Sequence, residues 1–263
     1  MAAPIHIVQI SDLHLFGDRH GQLLGLETAA SFQGVLQQIK ELYPLPDLFL
    51  LTGDLAQDHS AAAYRYLWQC LSPFQRPTYW IPGNHDDISL MGVELTQSPF
   101  NSLKSFTVGD WRILLLNSQV TGSVYGQLSP ATLGQLAQDL GQAPDQPTLL
   151  ALHHPPFQVG AHWLDGSRLR NPEELFALLD QHPQVKLVIF GHIHQAFHHQ
   201  RHGVHYFGTP STCIQFRPQS NDFSLDTCDP GFRQLWLFAD GRFETEITRV
   251  PMALSMDRTA TGY

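Results

Sequence analysis

The chain has 263 residues and a formal net charge of −9, from 15 Lys and Arg against 24 Asp and Glu. A length of this order suits one large domain, which buries about 75% of its unfolded surface and needs no disulfide staples. With only three lysines and no basic stripe, the chain is a poor match for a nucleic-acid backbone, and a phosphate ligand would need a local positive field such as bound cations.

Three separated cysteines, Cys70, Cys213 and Cys228, form no C-x-x-C pair, which argues against a cysteine zinc site. An odd, sparse count fits a reducing compartment, so a cytoplasmic protein is expected. The first residues carry no basic region and read as no signal peptide. No apolar run approaches the ~20 residues of a membrane span. Histidine is the unusual residue, at 15 of 263.

In chain order, Ile5–Ile10 reads as a buried strand, followed by a helix from a cap at Thr28 through Phe32, Val35, Leu36, Ile39 and Leu42 to Pro44. Next come a strand at Leu48–Leu51, a helix over Ala61–Leu71 with Tyr64, Leu67, Trp68 and Leu71 on one stripe, and strands at Thr78–Ile81 and Ile113–Leu116. Ser129 and Pro130 open a helix that Gly141 should stop. Strands at Thr148–Leu152 and Lys186–Phe190 flank a Pro/Gly-rich loop, 155–172, and a helix opened by Asn171 and Pro172. Long loops inside a domain are often functional. After Gly191 the segments Gln195–Gln200, Val204–Phe207, Phe232–Phe238 and Arg242–Thr248 read as antiparallel strands, with a tight turn at Asp240 and Gly241. They are expected to add a second sheet within a single domain spanning 1–263. The tail after 252 reads as short and irregular. Alternation of strand and helix points to α/β.

Five of the buried runs end in metal-type donors: Asp12 and His14, Asp54, Asn84 and His85, His153, and His192 and His194. Ligands in open α/β sheets bind at the carboxyl ends of strands, so these residues should meet in space. Asp12 and His14 are two apart, as are His192 and His194; in extended chain such residues point to one side. Gly53, Gly83 and Gly191 mark sharp turns close to the site. Carboxylate, amide and imidazole together suit Mn, Fe or Zn and are too rich in nitrogen for a dedicated Ca or Mg cage. Seven of these eight already exceed what one tetrahedral zinc needs. Two cations roughly 3.5–4 Å apart account for them, with Asp54 as the shared carboxylate.

Each block alone has an ordinary structural explanation as a cap, a turn or a core histidine. Their joint occurrence, in order and each after an apolar run, is what carries the reading. His154, His198, His199, His202 and His205 are read as structural or surface residues, Tyr64 and Trp68 as core, and Cys213 as a small buried hydrophobe.

These blocks resemble the calcineurin-like metallophosphoesterase superfamily, in the form Asp12-Leu13-His14, Gly53-Asp54, Gly83-Asn84-His85-Asp86, His153 and Gly191-His192-Ile193-His194. Gly83-Asn84-His85-Asp86-Asp87, His153-His154-Pro155-Pro156, the Trp163-Leu164-Asp165 loop and Gly208-Thr209-Pro210-Ser211-Thr212 look like the bacterial class III 3′,5′-cyclic AMP phosphodiesterases. The resemblance implies a four-layer αββα sandwich of two mixed β-sheets flanked by helices, and is compatible with a homodimer. It implies that Asp12, His14, Asp54 and His194 hold one metal, and that Asp54, Asn84, His153 and His192 hold the other. His85 matches the family histidine that binds no metal.

The implied reaction is hydrolysis of cyclic AMP to 5′-AMP by a hydroxide held between the metals, with His85 as the catalytic residue that offsets phosphoryl charge and protonates the leaving oxygen. His14, Asp54, Asn84, His85 and His194 would touch the phosphate, and the 155–172 loop, through Trp163 and Arg168, the nucleoside. Rival readings are a glycerophosphodiester phosphodiesterase, a broad phosphatase for small esters, and a non-catalytic scaffold. The last would be expected to have lost donors, and none is missing.

Overall fold

A computed structural model describes residues 3–42, 44–253 and 255–262. The first half contains β1 (Ile5–Ile10), β2 (Gln22–Leu23), β3 (Leu26–Glu27), α1 (Thr28–Lys40), β4 (Leu48–Thr52), α2 (Ala61–Leu71), β5 (Thr78–Ile81) and α3 (Ile88–Glu94). Then come β6 (Phe100–Asn101), β7 (Ser105–Val108), β8 (Trp111–Leu115), α4 (Pro130–Gln142), β9 (Thr148–Ala151), α5 (His162–Asp165) and α6 (Pro172–Leu179). The chain continues through β10 (Val185–Phe190), β11 (Phe197–Arg201), β12 (Val204–Gly208), β13 (Gly231–Leu237) and β14 (Phe243–Arg249).

Two six-stranded mixed sheets result, in the orders β14-β13-β1-β4-β5-β6 and β11-β12-β10-β9-β8-β7. In each, the central strands are parallel and an antiparallel pair closes one or both edges. The expected second sheet is present, but its origin differs from expectation. Only β11 and β12 of the late strands join it; β13 returns to pair with β1 in the first sheet, and β14 pairs with β13 at its edge. Antiparallel pairing can recruit a strand from anywhere in the chain, so strand type alone did not reveal the partner.

Alternation along each strand sorts the core into layers. Ile7, Leu48 and Leu50 from the first sheet meet Ile113, Leu149, Leu187 and Ile189 from the second in one interior cluster. Their neighbours Val8, Phe49 and Leu51 face outward, against Phe32, Val35 and Ile39 of α1 and Tyr64 and Leu67 of α2. Leu114, Leu150 and Val188 face outward on the other side, against Leu136 of α4 and Leu175 of α6. This is the four-layer αββα arrangement. It also explains the near-continuous apolar strands, which are covered on both faces.

Local signals held at several ends. Ser129 Oγ accepts from Thr132 N at 3.0 Å with Pro130 in the first turn of α4, and Gly241 takes φ 83 in the β13–β14 turn. Elsewhere tertiary packing shifted them. α1 starts at Thr28 with Glu27 as its cap residue, and α4 runs past Gly141 to Gln142.

Candidate active site

All the sequence-predicted donors come together at one end of the two sheets. The first sheet sends Asp12 and His14 from beyond β1, Asp54 from beyond β4, and Asn84 and His85 from beyond β5. The second sends His153 from beyond β9, and His192 and His194 from beyond β10. Gln9 bridges the sheets beneath the site, donating to Phe190 O at 3.3 Å and Thr52 Oγ1 at 2.9 Å. Asp12, His14, Asp54, His153 and His194 are at most 1% exposed and His192 is 7% exposed; Asn84 and His85 are half-buried.

The donors fall into two overlapping groups. On one side His14 Nε2 lies 3.2 Å from His194 Nε2, and His194 Nε2 lies 3.4 Å from Asp12 Oδ1. On the other, His192 Nδ1 lies 3.0 Å from Asn84 Oδ1 and 3.3 Å from His153 Nε2. Asp54 Oδ2 stands between, 3.9 Å from His14 Nε2 and 3.2 Å from His153 Nε2. Donors held 2.0–2.2 Å from a common ion are spaced at roughly 3.0–3.5 Å, so these separations are those of shared coordination shells. Among the described residues the ion pairs of Asp12 and Asp54 are all with histidine. Two buried carboxylates with no Lys or Arg partner are costly unless cations join them. The residues present therefore fit a pair of bound metal ions.

The i, i+2 pairs do face one site, but not through extended chain as expected. Asp12 and His14 have φ of 55° and 48°, His192 and His194 have 69° and 49°, and Asp54 has 51°. Left-handed backbone at a non-glycine residue costs on the order of 1–3 kcal/mol each and collects at functional sites. Asp and His tolerate it better than most residues. Ile193 N donates to Gly191 O at 2.8 Å, closing a positive-φ γ-turn, a rare and strained form, around His192. The intervening Leu13 and Ile193 are fully buried, so each pair is aimed by an apolar side chain locked in the core.

Backbone bonds continue the parallel pairing beyond the strands. Asp12 N donates to Gly53 O at 3.0 Å, and His14 N to Asp54 O at 2.9 Å. Asp12 also accepts from His192 N at 2.9 and 3.1 Å, which ties the first sheet's loop to the second's. Gly83 and Gly191 are required by proximity. A Cβ on Gly83 would sit 2.1 Å from Asp54 Oδ1, and one on Gly191 would sit 2.0 Å from Ser11 Oγ.

Each ring has its other face fixed by a group with no signal in the sequence. His14 Nδ1 meets Gln57 Oε1 at 2.6 Å, and His153 Nδ1 meets Thr52 O at 2.8 Å. His194 Nδ1 meets Ile214 O at 2.8 Å, and His192 Nε2 meets Ser167 Oγ at 2.8 Å. Such partners orient metal-binding histidines and set their tautomers. Asp86 is a further positioning residue. It accepts from the backbone N–H groups of Leu55 and Ala56 (3.0 Å each) and Gly83 (2.9 Å) and from Tyr64 OH (3.0 Å), so it holds the Asp54 and Asn84 loops together. Its place in the Gly83–Asp86 block was the only hint. Two residues read as structural also adjoin the centre. His154 groups with His153 and His192, and Cys213 with His14 and His194, with one ligand-type atom of each residue within 4.8 Å of the others in its group.

The protonation pattern follows from burial and neighbours. Burial would raise the Asp54 carboxyl, but the charges of His153 and His85 outweigh it and hold it well below the usual range. Burial opposes charge on His153 as well, yet Asp54 beside it lifts its pKa to about 9. Burial drives His14 down to about 3. It also holds His192 well below the usual value, aided by His153. Asp86 is pushed up to about 7 by burial, then by Asp54.

His85 sits at the edge of the ring of donors, with a ring nitrogen within 4.8 Å of donor atoms of His14 and Asp54. Its backbone N–H donates to Asp54 Oδ1 at 2.8 Å, and its ring lies edge-on to His14 with centroids 5.1 Å apart. It lines two cavities, of about 450 Å³ and 300 Å³. Trp163 lines the smaller one, whereas the Arg168 guanidinium donates to Asp165 O at 2.9 Å within its own loop. That loop is not wholly irregular, since it contains α5.

A family model described as calcineurin-like phosphoesterase matches residues 5–196. A 3′,5′-cyclic-nucleotide phosphodiesterase of Nostoc sp. is 49% identical over 98% of this chain and 97% of that protein. The 3′,5′-cyclic adenosine monophosphate phosphodiesterase CpdA of Escherichia coli is 43% identical over 99% of this chain and 96% of that protein. Among solved structures, a dimetal phosphatase from Danio rerio superposes with a TM-score of 0.65 at 15% identity, covering 95% of this chain and 100% of that one. This last likeness establishes the fold alone.

Proposed function

Because the chain belongs to the calcineurin-like phosphoesterase family, we propose that it is a metal-dependent phosphodiesterase that hydrolyses 3′,5′-cyclic AMP to 5′-AMP. The observation that carries the reading is the position of Asp54 Oδ2 between His14 Nε2 and His153 Nε2, which divides eight donor contacts from seven residues into two sets around one shared carboxylate. Asp12, His14, Asp54 and His194 hold one cation in this reading; Asp54, Asn84, His153 and His192 hold the other. When bound, the pair supplies Lewis-acid polarisation of phosphoryl oxygens and a water acidic enough to act as nucleophile at neutral pH. The donor set favours Fe, Mn or Zn.

The chain's own residues do the rest. His85 is the catalytic residue: half-buried, open to both cavities and at the edge of the donor cluster beside His14 and Asp54, it places an imidazole where it can give a proton to the departing 3′-oxygen. The same ring supplies a donor to the phosphoryl oxygens. Asp54 Oδ1 fixes the His85 backbone, so the shared carboxylate and the acid are set by one contact. The substrate phosphate lies against His14, Asp54, Asn84, His85 and His194. The whole chain acts as one domain, since β13 and β14, which follow the matched region, extend the first sheet from β1, β13 pairing with β1 and β14 with β13.

The test is product identification from a cyclic-nucleotide panel with metal analysis of the same protein, run beside glycerophosphocholine and a simple aryl phosphate. Turnover of cyclic AMP to 5′-AMP supports the reading. Preference for the glycerophosphodiester or the monoester would replace it with one of those activities, and loss of all turnover with both metals bound would leave only a scaffold.

A further inference from the structure

Two cavities meet at Asn84, His85 and Val124, and their walls differ in kind. The larger is lined by polar side chains such as His59, Asp87, Gln119 and Ser123. The smaller, of about 300 Å³, is walled by Trp163, Leu164 and Phe223. Trp163 packs edge-on against Phe216 and Phe223, at centroid distances of 4.9 and 5.0 Å, and Phe216 stacks on His194 at 4.1 Å with an interplanar angle of 12°. The aromatic wall is therefore continuous with the proposed metal centre. The Trp163 indole N–H is buried and has no hydrogen-bond partner among the described residues. A purine has π faces for such a wall.

The third side of this cavity comes from the segment after β14, through Thr261 and Gly262. That segment read as an irregular tail, but it is tied to the body. Met252 packs on the α1 side of the first sheet and Met256 on the core of the second. Asp257 N donates to Leu24 O at 2.7 Å, and the Asp257 carboxylate accepts from Thr259 N at 2.9 Å and from Thr259 Oγ1. These bonds turn the chain so that its next residues reach the mouth beside His85 and His192.

We propose that the adenine base of the cyclic nucleotide occupies the cavity between Trp163, Phe223, Thr261 and Gly262, which makes the segment after β14 a specificity-determining part of the site. The inference rests on the cyclic-nucleotide reading and deepens it. The larger, polar cavity, which shares Asn84, His85 and Val124 with it, is left to solvent and to the opened phosphate.

The experiment compares the full chain with a variant ending at Asp257 and with Trp163→Leu, all loaded with manganese. Two ratios are read: kcat/KM for cyclic AMP over that for bis(4-nitrophenyl) phosphate, and affinity for 5′-AMP over affinity for inorganic phosphate. Both ratios should fall about tenfold or more in each variant, the scale of one lost base contact. Ratios within twofold of the full chain in both variants overturn the proposal. A fall in Trp163→Leu alone removes the tail from the subsite and overturns that half. A full chain that cleaves the aryl diester but not cyclic AMP defeats the cyclic-nucleotide reading itself, which is a different result from unchanged ratios.

Discussion

The Asp54 carboxylate lies 3.2 Å from His153 Nε2 through one oxygen, while its other oxygen accepts the His85 backbone N–H at 2.8 Å. One side chain thus belongs to both proposed metal positions and also sets the loop that carries the proposed acid. Removing it should do more damage than removing any group at the rim.

Asp54→Ala is expected to purify without its metals. Losing several kcal/mol of charge stabilisation corresponds to a rate loss of roughly a thousandfold or more. His85→Ala is expected to keep its metals and lose about 10²–10⁴-fold in kcat. Metal content by elemental analysis, measured beside cyclic AMP turnover, separates the two. Metal loss in the His85 variant would assign that ring to the coordination shell instead.

Gln57→Ala and Ser167→Ala each strip a histidine of its orienting partner, His14 and His192 respectively. Metal affinity should drop about 10–100-fold in each, with the fold intact. Competition with a chelator of known affinity measures the drop. Unchanged affinity in both would mean that the backbone alone aims these rings.

Gly83→Ala puts a methyl 2.1 Å from Asp54 Oδ1 and 2.4 Å from Asp54 N. Neither atom can retreat, because Asp54 is buried and its backbone oxygen bonds His14 N. Overpacking of this kind costs typically about 1–3 kcal/mol. A lowered Tm together with reduced metal content is expected. A variant with normal metal content and wild-type Tm would show that the loop has more freedom than its bonds suggest.

The chelated protein should lose stability as pH falls below 6.5. His14, held down to about 3, and His154 and His192, held well below their usual value, are all lowered first by burial. Each contributes stability that is present above 6.5 and is lost as pH falls, because the unfolded chain takes up the proton first. Asp86, raised to about 7, works in the opposite sense: its contribution is present below 3.8 and is lost as pH rises through 7. His153, raised to about 9, is protonated in both states below 6.5 and adds no slope there. Three imidazoles therefore outweigh one carboxyl, and the net slope is of order 1 kcal/mol per pH unit for each uncompensated group. Thermal melts in EDTA between pH 6.5 and 4.5 read the slope. A flat profile over that window would contradict it.

Much was legible in the residue order. Five apolar runs, each followed by Asp, Asn or His, located the ends of β1, β4, β5, β9 and β10 and the eight residues that gather at the proposed site. Strand length and donor type are local properties, and the carboxyl ends of parallel strands converge by geometry. Three things were decided only by the folded structure. The left-handed backbone at Asp12, His14, Asp54, His192 and His194 replaces the extended pairs that spacing alone suggested, because buried Leu13 and Ile193 and cross-sheet bonds outweigh local preference. Gln57, Ser167 and the Ile214 carbonyl reached their histidines through contacts that no spacing encodes. Thr261 and Gly262 came to the mouth of the site because Asp257 is tied to Leu24, more than 230 positions earlier in the chain. A sequence states which groups are available and which face of an element they occupy; distances between remote groups exist only once packing has closed the chain.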